Sequence, residues 1–371
     1  MKKIIYITQR KTNILSDFAN SSQVVNTSKE LAKLNSNFEL FILNHKNYSK
    51  DFLLDQIKNK YENINFKVKS IHNSILFKKD ILYGLFLSIK FFFNKSIFYT
   101  RNDWVAFFFT LMNKPVFFEA HDYNEKRICL ILMKKLVNNK ENLKIITISN
   151  ALKNKFKEEE FNNSIYVVHD GVDNNFYYPI NKYETRKEIG LDLNSKIVLY
   201  SGALREGRGL SRLIEIARLK KNTQFLVFGG RDKKRLKFLK QQSKDLSNIY
   251  FYGFVKKDLL KKYMDAADIF LMPHQKNCDI IKFTSPLKMF EYLAMGKPII
   301  ASEFPVFKEV LRNDFNALLV NAESENDFAK KIDILFNDKN KYNSLSKNAL
   351  ISSKKYSWKN RAADILSVLK C

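Results

Sequence analysis

Lys288 and Glu291 stand three residues apart in the stretch FTSPLKMFEYLAMGKPIIAS, residues 283–302. Met289, Phe290, Leu293 and Ala294 surround them, so the segment reads as a mostly buried helix carrying two opposite charges on one face. Thr284 or Ser285 is placed to cap this helix, and Pro286 suits its first turn. A lysine beside the free amides of a helix start holds an anionic leaving group well. A glutamate one turn further on accepts hydrogen bonds from sugar or ribose hydroxyls. The competing reading is a surface Lys–Glu pair, worth roughly a few tenths of a kcal/mol.

A second group lies in YSGALREGRGLSRLIEIA, residues 200–217, where Gly202, Gly207 and Gly209 surround Arg205 and Arg208 and a helix begins near Leu210. A glycine-bearing strand-to-helix loop lets backbone amides approach a phosphate, and arginine adds a bidentate partner. The spacing is not GxGxxG, and an ordinary tight loop with exposed arginines fits these residues equally. A third candidate is His121 in FFEAHD, at the end of a strand-like run, with Glu119 two residues earlier on the same strand face. His121 also sits beside Asp122 and Glu125, a D-x-x-E pattern that caps helices. No DxD-like carboxylate pair follows a strand to hold a divalent metal.

The elements that must position these groups alternate along the chain. Strand-like runs occur at residues 3–8, 38–44, 96–100, 115–120, 144–149 and 164–169, separated by helix-like segments such as 24–34. The polar, turn-rich segment 170–195 breaks the rhythm and reads as a linker. Strand runs resume at 196–202, 224–230, 249–255, 268–274 and 297–302, and residues 355–370 read as a closing amphipathic helix. This predicts α/β architecture with two doubly wound parallel sheets, and ligands at the carboxyl ends of strands in a crevice between domains.

The 371 residues carry a formal net charge of +26, and residues 1–175 hold 27 Lys and Arg against 17 Asp and Glu, so the excess is spread along the chain. Anionic ligands, an anionic membrane surface and nucleic acid all fit such a balance, as does a plain lysine-coated surface. No nucleic-acid-binding motif accompanies the charge, and RDKKRLKFLK (231–240) reads as a solvated helix face. Cys129, Cys278 and Cys371 are far apart with no CxxC, which suits a reduced cytoplasmic protein. The start MKKIIYITQRK reads as a buried strand and not as a signal peptide. The run ILYGLFLSIKFFF (81–93) is too short to span a bilayer. A buried helix is the preferred reading; the alternative is a membrane-facing patch flanked by Lys78, Lys79, Lys90 and Lys95.

SPLKMFEYLAMGKPIIAS resembles the signature of retaining GT-B glycosyltransferases of the family-4 type (glycosyl transferases group 1). TISNALKNKF, VVHDGVDNNFYYP, YSGALREGRGLSRLIEIA, YFYGFV and KYSWKNRAADIL resemble further segments of that family in the same order. The resemblance covers residues 96–370. It implies the GT-B fold, two Rossmann-like domains facing each other across a cleft. The expected boundaries are 1–175 for the acceptor-side domain, 176–354 for the donor-binding domain and 355–371 for a helix crossing back.

By position, the resemblance gives catalytic or sugar-facing roles to His121 and Glu291, the latter on the donor ribose. The residues' own chemistry puts Gly202, Arg205, Thr284, Ser285 and Lys288 at the diphosphate, and the resemblance gives that site Arg208 and the nucleobase Phe254 and Val255. Its implied chemistry is transfer with retention from a UDP- or GDP-sugar to a glycan or lipid-linked glycan. No cofactor or metal is needed, and the setting is the cytoplasm, peripherally on the inner membrane face. Three departures stand out. Phe283 occupies the place of a second family glutamate, with Asp279 as a substitute nearby; Ala203 stands where an arginine is common; and residues 7–23 lack the usual glycines. A GT-B epimerase, a basic nucleic-acid-binding protein and a binding-only relative are the other readings.

Overall fold

The computed structural model describes residues 2–61, 64–74, 79–276 and 279–370, without the side chains of 279, 280 and 370. Lys78, Cys278, Cys371 and the side chain of Asp279 therefore lie outside the described residues. Two compact units form: Met1–Gly171 with Trp358–Cys371, and Val172–Ser357.

The N-terminal unit is built on β1 (Ile4–Ile7), β2 (Phe38–Asn44), β3 (Lys67–His72), β4 (Ile97–Thr100), β5 (Val116–Ala120), β6 (Leu143–Thr147) and β7 (Ser164–Val167). All seven are parallel, in the order β3-β2-β1-β4-β5-β6-β7. The central strands are continuous apolar runs because helices cover both faces: all four residues of β1 and all seven of β2 are buried. The closing helix Trp358–Lys370 belongs to this unit. Its Ala362, Ile365, Leu366 and Leu369 join the core formed by Val24 and Leu31 of the first helix with Leu40 of β2.

The C-terminal unit holds β8 (Ile197–Ser201), β9 (Gln224–Phe228), β10 (Ile249–Gly253), β11 (Ile269–Met272), β12 (Ile299–Ser302) and β13 (Leu318–Val320), parallel in the order β10-β9-β8-β11-β12-β13. Both sheets wind outward in one direction and restart on the other side of their first strand. This is the doubly wound order expected from the alternating pattern, with its switch point between β8 and β11 in this unit. β3 and β13 were not anticipated: β3 mixes Lys67, Lys69, Ser70 and His72 with only two apolar residues, Val68 and Ile71, and β13 is three residues long.

The segment read as a linker is largely structure. Helix Lys182–Glu188 lies within it, and Arg186 is fully buried. Arg186 donates to the carbonyls of Ala266, Leu193 and Ser195 and to Asp268 Oδ2 at 2.9 Å. A buried guanidinium with every one of these acceptors filled holds residues 182–195 to the C-terminal unit. The chain passes between units at 171/172 and at 357/358, against the expected 175/176 and 354/355.

Candidate functional site

At the switch point of the C-terminal unit, the loops after β8 and β11 meet. Gln275 N donates to the Gly207 carbonyl at 3.0 Å. Gly209 has φ of +79°, and a Cβ there would lie 1.5 Å from the Pro273 carbonyl oxygen, so only glycine permits this approach. Helix Leu210–Leu219 then begins with Gly209 at its N-cap. The helix carrying Lys288 runs Leu287–Ala294 and is anchored by Tyr292, whose ring stacks on Phe270 of β11. Ser201 N donates to the Tyr292 hydroxyl oxygen at 2.7 Å.

These anchors direct Lys288 over the end of β8. Its Nζ lies 4.0 Å from the Tyr200 ring centroid, and a Cβ on Gly202 would stand 3.3 Å from it. Lys288 is buried, and among the described residues its Nζ has no hydrogen-bond partner; the same holds for Ser285 Oγ and Arg208 Nε. Arg208 Nη1 donates to His274 Nε2 at 3.1 Å. Burial, then the Arg208 charge, holds the Lys288 amine well below the usual lysine range, with Glu291 opposing. Burial, Lys288 and Arg208 likewise keep the His274 imidazole neutral. Lys288, Arg208, Ser285 and a helix start all keep hydrogen-bonding capacity unfilled in this part of the unit, and an anion is the species that would satisfy them.

Glu291 is not paired with Lys288 as their spacing suggests. Tyr177, fully buried after the chain enters this unit, donates its hydroxyl hydrogen to Glu291 Oε1 at 2.9 Å. The Lys257 ammonium lies 3.9 Å from the Phe176 ring centroid and 5.0 Å from that of Tyr177. Burial raises the Glu291 carboxyl above the usual range, while Lys257, Tyr177 and Lys288 restrain the rise. The surface-pair reading of Lys288 and Glu291 is thereby replaced.

Other expectations are corrected at this site. Neither Thr284 nor Ser285 caps the helix; Pro286 itself is the N-cap, without a side-chain bond. Arg205 is exposed, and its carbonyl accepts from Arg208 N at 3.3 Å. Phe254 is exposed just past β10 with the Arg231 guanidinium 4.1 Å from its ring centroid, and Val255 is half-buried beside it. Helix Lys233–Gln242 presents the basic run as expected, capped by Asp232 with only Leu239 buried.

His121 belongs to a separate cluster in the N-terminal unit. It hydrogen-bonds Glu119 of β5 and keeps an edge in solvent. Arg361, from the closing helix, donates to Glu119 Oε2 at 2.8 Å and to the carbonyls of Val168 and His169, both at 2.7 Å. Arg101 donates to Gln23 Oε1 at 2.7 Å, and Gln23 donates to Asp170. Burial and Arg101 hold the His121 imidazole below its ordinary pKa despite Glu119. Burial alone would raise the Glu119 carboxyl, but Arg361 and His121 outweigh it and lower it. Glu119 is thus the group that orients His121. The helix cap suggested by Asp122 and Glu125 does not form: helix Ile128–Leu136 starts later, and Asp122 accepts from Arg127 at 3.0 Å.

Two doubly wound parallel units of this kind define the GT-B class, and solved structures agree at the level of fold. The chain superposes on HepE of Anabaena, solved with UDP and glucose, with TM-score 0.75 and 18% identity over 100% of both chains. It superposes on sucrose-phosphate synthase of Thermosynechococcus elongatus with TM-score 0.78 and 16% identity, over 100% of this chain and 98% of that one. Residues 181–351 match the family described as glycosyl transferases group 1, the family the resemblance pointed to.

Relatives include an uncharacterised glycosyltransferase of Methanocaldococcus jannaschii, 26% identical over 244 residues, 62% of this chain and 60% of that protein. Another is the N,N'-diacetylbacillosaminyl-diphospho-undecaprenol alpha-1,3-N-acetylgalactosaminyltransferase of Campylobacter jejuni, 26% identical over 204 residues, 52% of this chain and 51% of that protein. The matches therefore span less than two thirds of these relatives' lengths.

Proposed function

We propose that the chain transfers a sugar from a nucleotide-sugar donor to a glycan or lipid-linked glycan, in the building of bacterial surface polysaccharide. The observation that carries this reading is the buried, unpartnered Lys288 side chain with Arg208 and Ser285 at the β8/β11 switch point. A diphosphate leaving group supplies what these groups lack. Held in a fixed array, they would stabilise its developing charge without reorganising. Lys288 and Arg208 make a divalent metal unnecessary for that task in this reading.

Glu291, held by Tyr177, would accept from the donor ribose, with Phe254 and Val255 nearest the base. His121, held by Glu119, would face the transferred sugar. Retention of anomeric configuration follows if the departing diphosphate takes the acceptor proton on the face it leaves. UDP is the favoured nucleotide, since a chain of the same fold is solved with UDP and glucose. A lipid diphosphate acceptor is supported by the Campylobacter relative's name.

A thermal-shift series with UDP, GDP, ADP and CMP tests the donor site. A nucleotide at about 100 times its dissociation constant adds roughly 2.7 kcal/mol of stability. Stabilisation by one nucleotide in the wild type, reduced in Glu291→Ala, supports the assignment. No response to any nucleotide overturns it. Consumption of the sugar nucleotide without acceptor would replace transfer by epimerisation.

A further inference from the structure

Helix Asp80–Lys90 is apolar on all sides yet covered on one only. Its inner stripe, Tyr83, Gly84, Leu87 and Ser88, is buried. Gly84 sets this seating: a Cβ there would lie 2.8 Å from the Trp104 backbone carbon, so the helix rests directly on helix Asp103–Leu111. The outer stripe is left in solvent. Ile81, Leu82, Leu85 and Ile89 are exposed, and the turn that follows adds Phe92 and Phe93, with Ile89 at 67% and Phe93 at 90%. Helix Ile128–Leu136, on the same row of helices through Asp103–Leu111, exposes Ile128, Ile131 and Leu136. A contiguous apolar face of this kind marks an interaction surface.

The charges around the face select its partner. Lys79, Lys90 and Lys95 are exposed at the two ends of the stripe, and Lys135 lies on the neighbouring helix. The acidic residue of the stripe, Asp80, is taken by Arg10 at 2.9 Å. A second copy docking here would set these lysines against their own counterparts in a chain of net charge +26. An anionic lipid surface instead gives each lysine a phosphate and each apolar side chain an acyl boundary. The 11-residue helix is about 16 Å long, too short to span a bilayer but suited to lying in its surface.

We infer that the outer face of helix Asp80–Lys90, with Phe92 and Phe93, docks the protein on an anionic membrane surface. The inference rests on the transferase reading only for its purpose, a lipid-borne acceptor; the surface itself stands apart from the donor site. This reverses the preference for a fully buried helix over 81–93.

Vesicle co-sedimentation tests it, comparing phosphatidylcholine alone with phosphatidylcholine plus phosphatidylglycerol. The wild type is expected to sediment with the anionic vesicles, less so at high salt. Ile89→Ser/Phe93→Ser and Lys90→Gln/Lys95→Gln are each expected to weaken partitioning about tenfold or more. Both variants should keep the wild-type melting response to UDP, which separates failure here from failure of the donor site. No binding to anionic vesicles, or equal binding by the Ile89→Ser/Phe93→Ser variant, overturns the inference. So does a lipid-free dimer in sedimentation velocity that this variant dissociates, because the face would then belong to a second copy.

Discussion

Tyr177 donates a hydrogen bond of 2.9 Å to Glu291, although 114 positions separate them in the chain. The tyrosine is fully buried and its hydroxyl is pushed well above the usual range by burial and by Glu291, so it stays a donor at any working pH. One oxygen of Glu291 is thereby fixed, and in the proposed reading the other accepts from the donor ribose. Tyr177→Phe keeps the ring and removes the donor. The expected cost is about 1 kcal/mol of stability, a fall of roughly 2–4 °C in melting temperature for a unit of this size, with weaker stabilisation by UDP. An unchanged UDP response would show that Glu291 needs no such support.

Lys288 is expected to take up a proton when an anion binds. In the free protein its pKa is lowered, so the stability it contributes is complete above the ordinary lysine value and is lost as pH falls through the lowered one. Near neutral pH, below the ordinary lysine value, burying this side chain therefore costs stability. Lys288→Met should raise the melting temperature of the ligand-free protein while abolishing its response to UDP. Calorimetric titration of the wild type in buffers of differing ionisation enthalpy should show net proton uptake on UDP binding. Proton release would contradict the placement of the diphosphate over Lys288.

Arg361 compensates a fully buried carboxylate. Removing it as Arg361→Met leaves Glu119 without its strongest partner, and about 3–5 kcal/mol of stability should be lost. Arg361→Met/Glu119→Gln should recover part of that loss, since the uncompensated charge is gone as well. Because the Glu119 pKa is lowered, its contribution is present above the ordinary glutamate range and disappears as pH falls through the lowered value. Chemical denaturation at neutral and acid pH reads both effects.

Gly209→Ala should break the meeting of the two loops. The added methyl would overlap the Pro273 carbonyl, and the positive φ is itself unfavourable for alanine. A lower melting temperature and a lost UDP response are expected together. Gly190→Ala is the control, since its φ of +70° imposes the same backbone cost with nothing within 4 Å. Equal losses in both variants would assign the effect to backbone strain alone.

Much of the framework was legible in the chain. Runs such as FELFILN became strands at the positions read, because a strand buried on both faces has to be apolar throughout. The glycines of 202–209 and the Lys288 helix also fell where local pattern placed them. Segment 170–195 was misread because its polar residues look solvated. Arg186, fully buried there, finds its acceptors about 80 positions away at Ala266 and Asp268.

By itself the sequence determined most of the strands, their parallel winding, and the presence of Lys288, Glu291, Arg208 and His121 at or near strand and helix ends. Local periodicity, turn chemistry and the resemblance are enough for that. Only the tertiary structure decided which groups are paired. Glu291 goes to Tyr177, His121 is governed by Glu119 and through it by Arg361, and Lys288 is left without a partner. Those outcomes depend on long-range approach in parallel sheets, which residue spacing does not encode. The same holds for helix Asp80–Lys90, whose outer stripe of Ile81, Leu82, Leu85 and Ile89 is the more apolar of the two and yet is the exposed one. Contact of Gly84 with Trp104 selects the one that is covered and leaves the other to water.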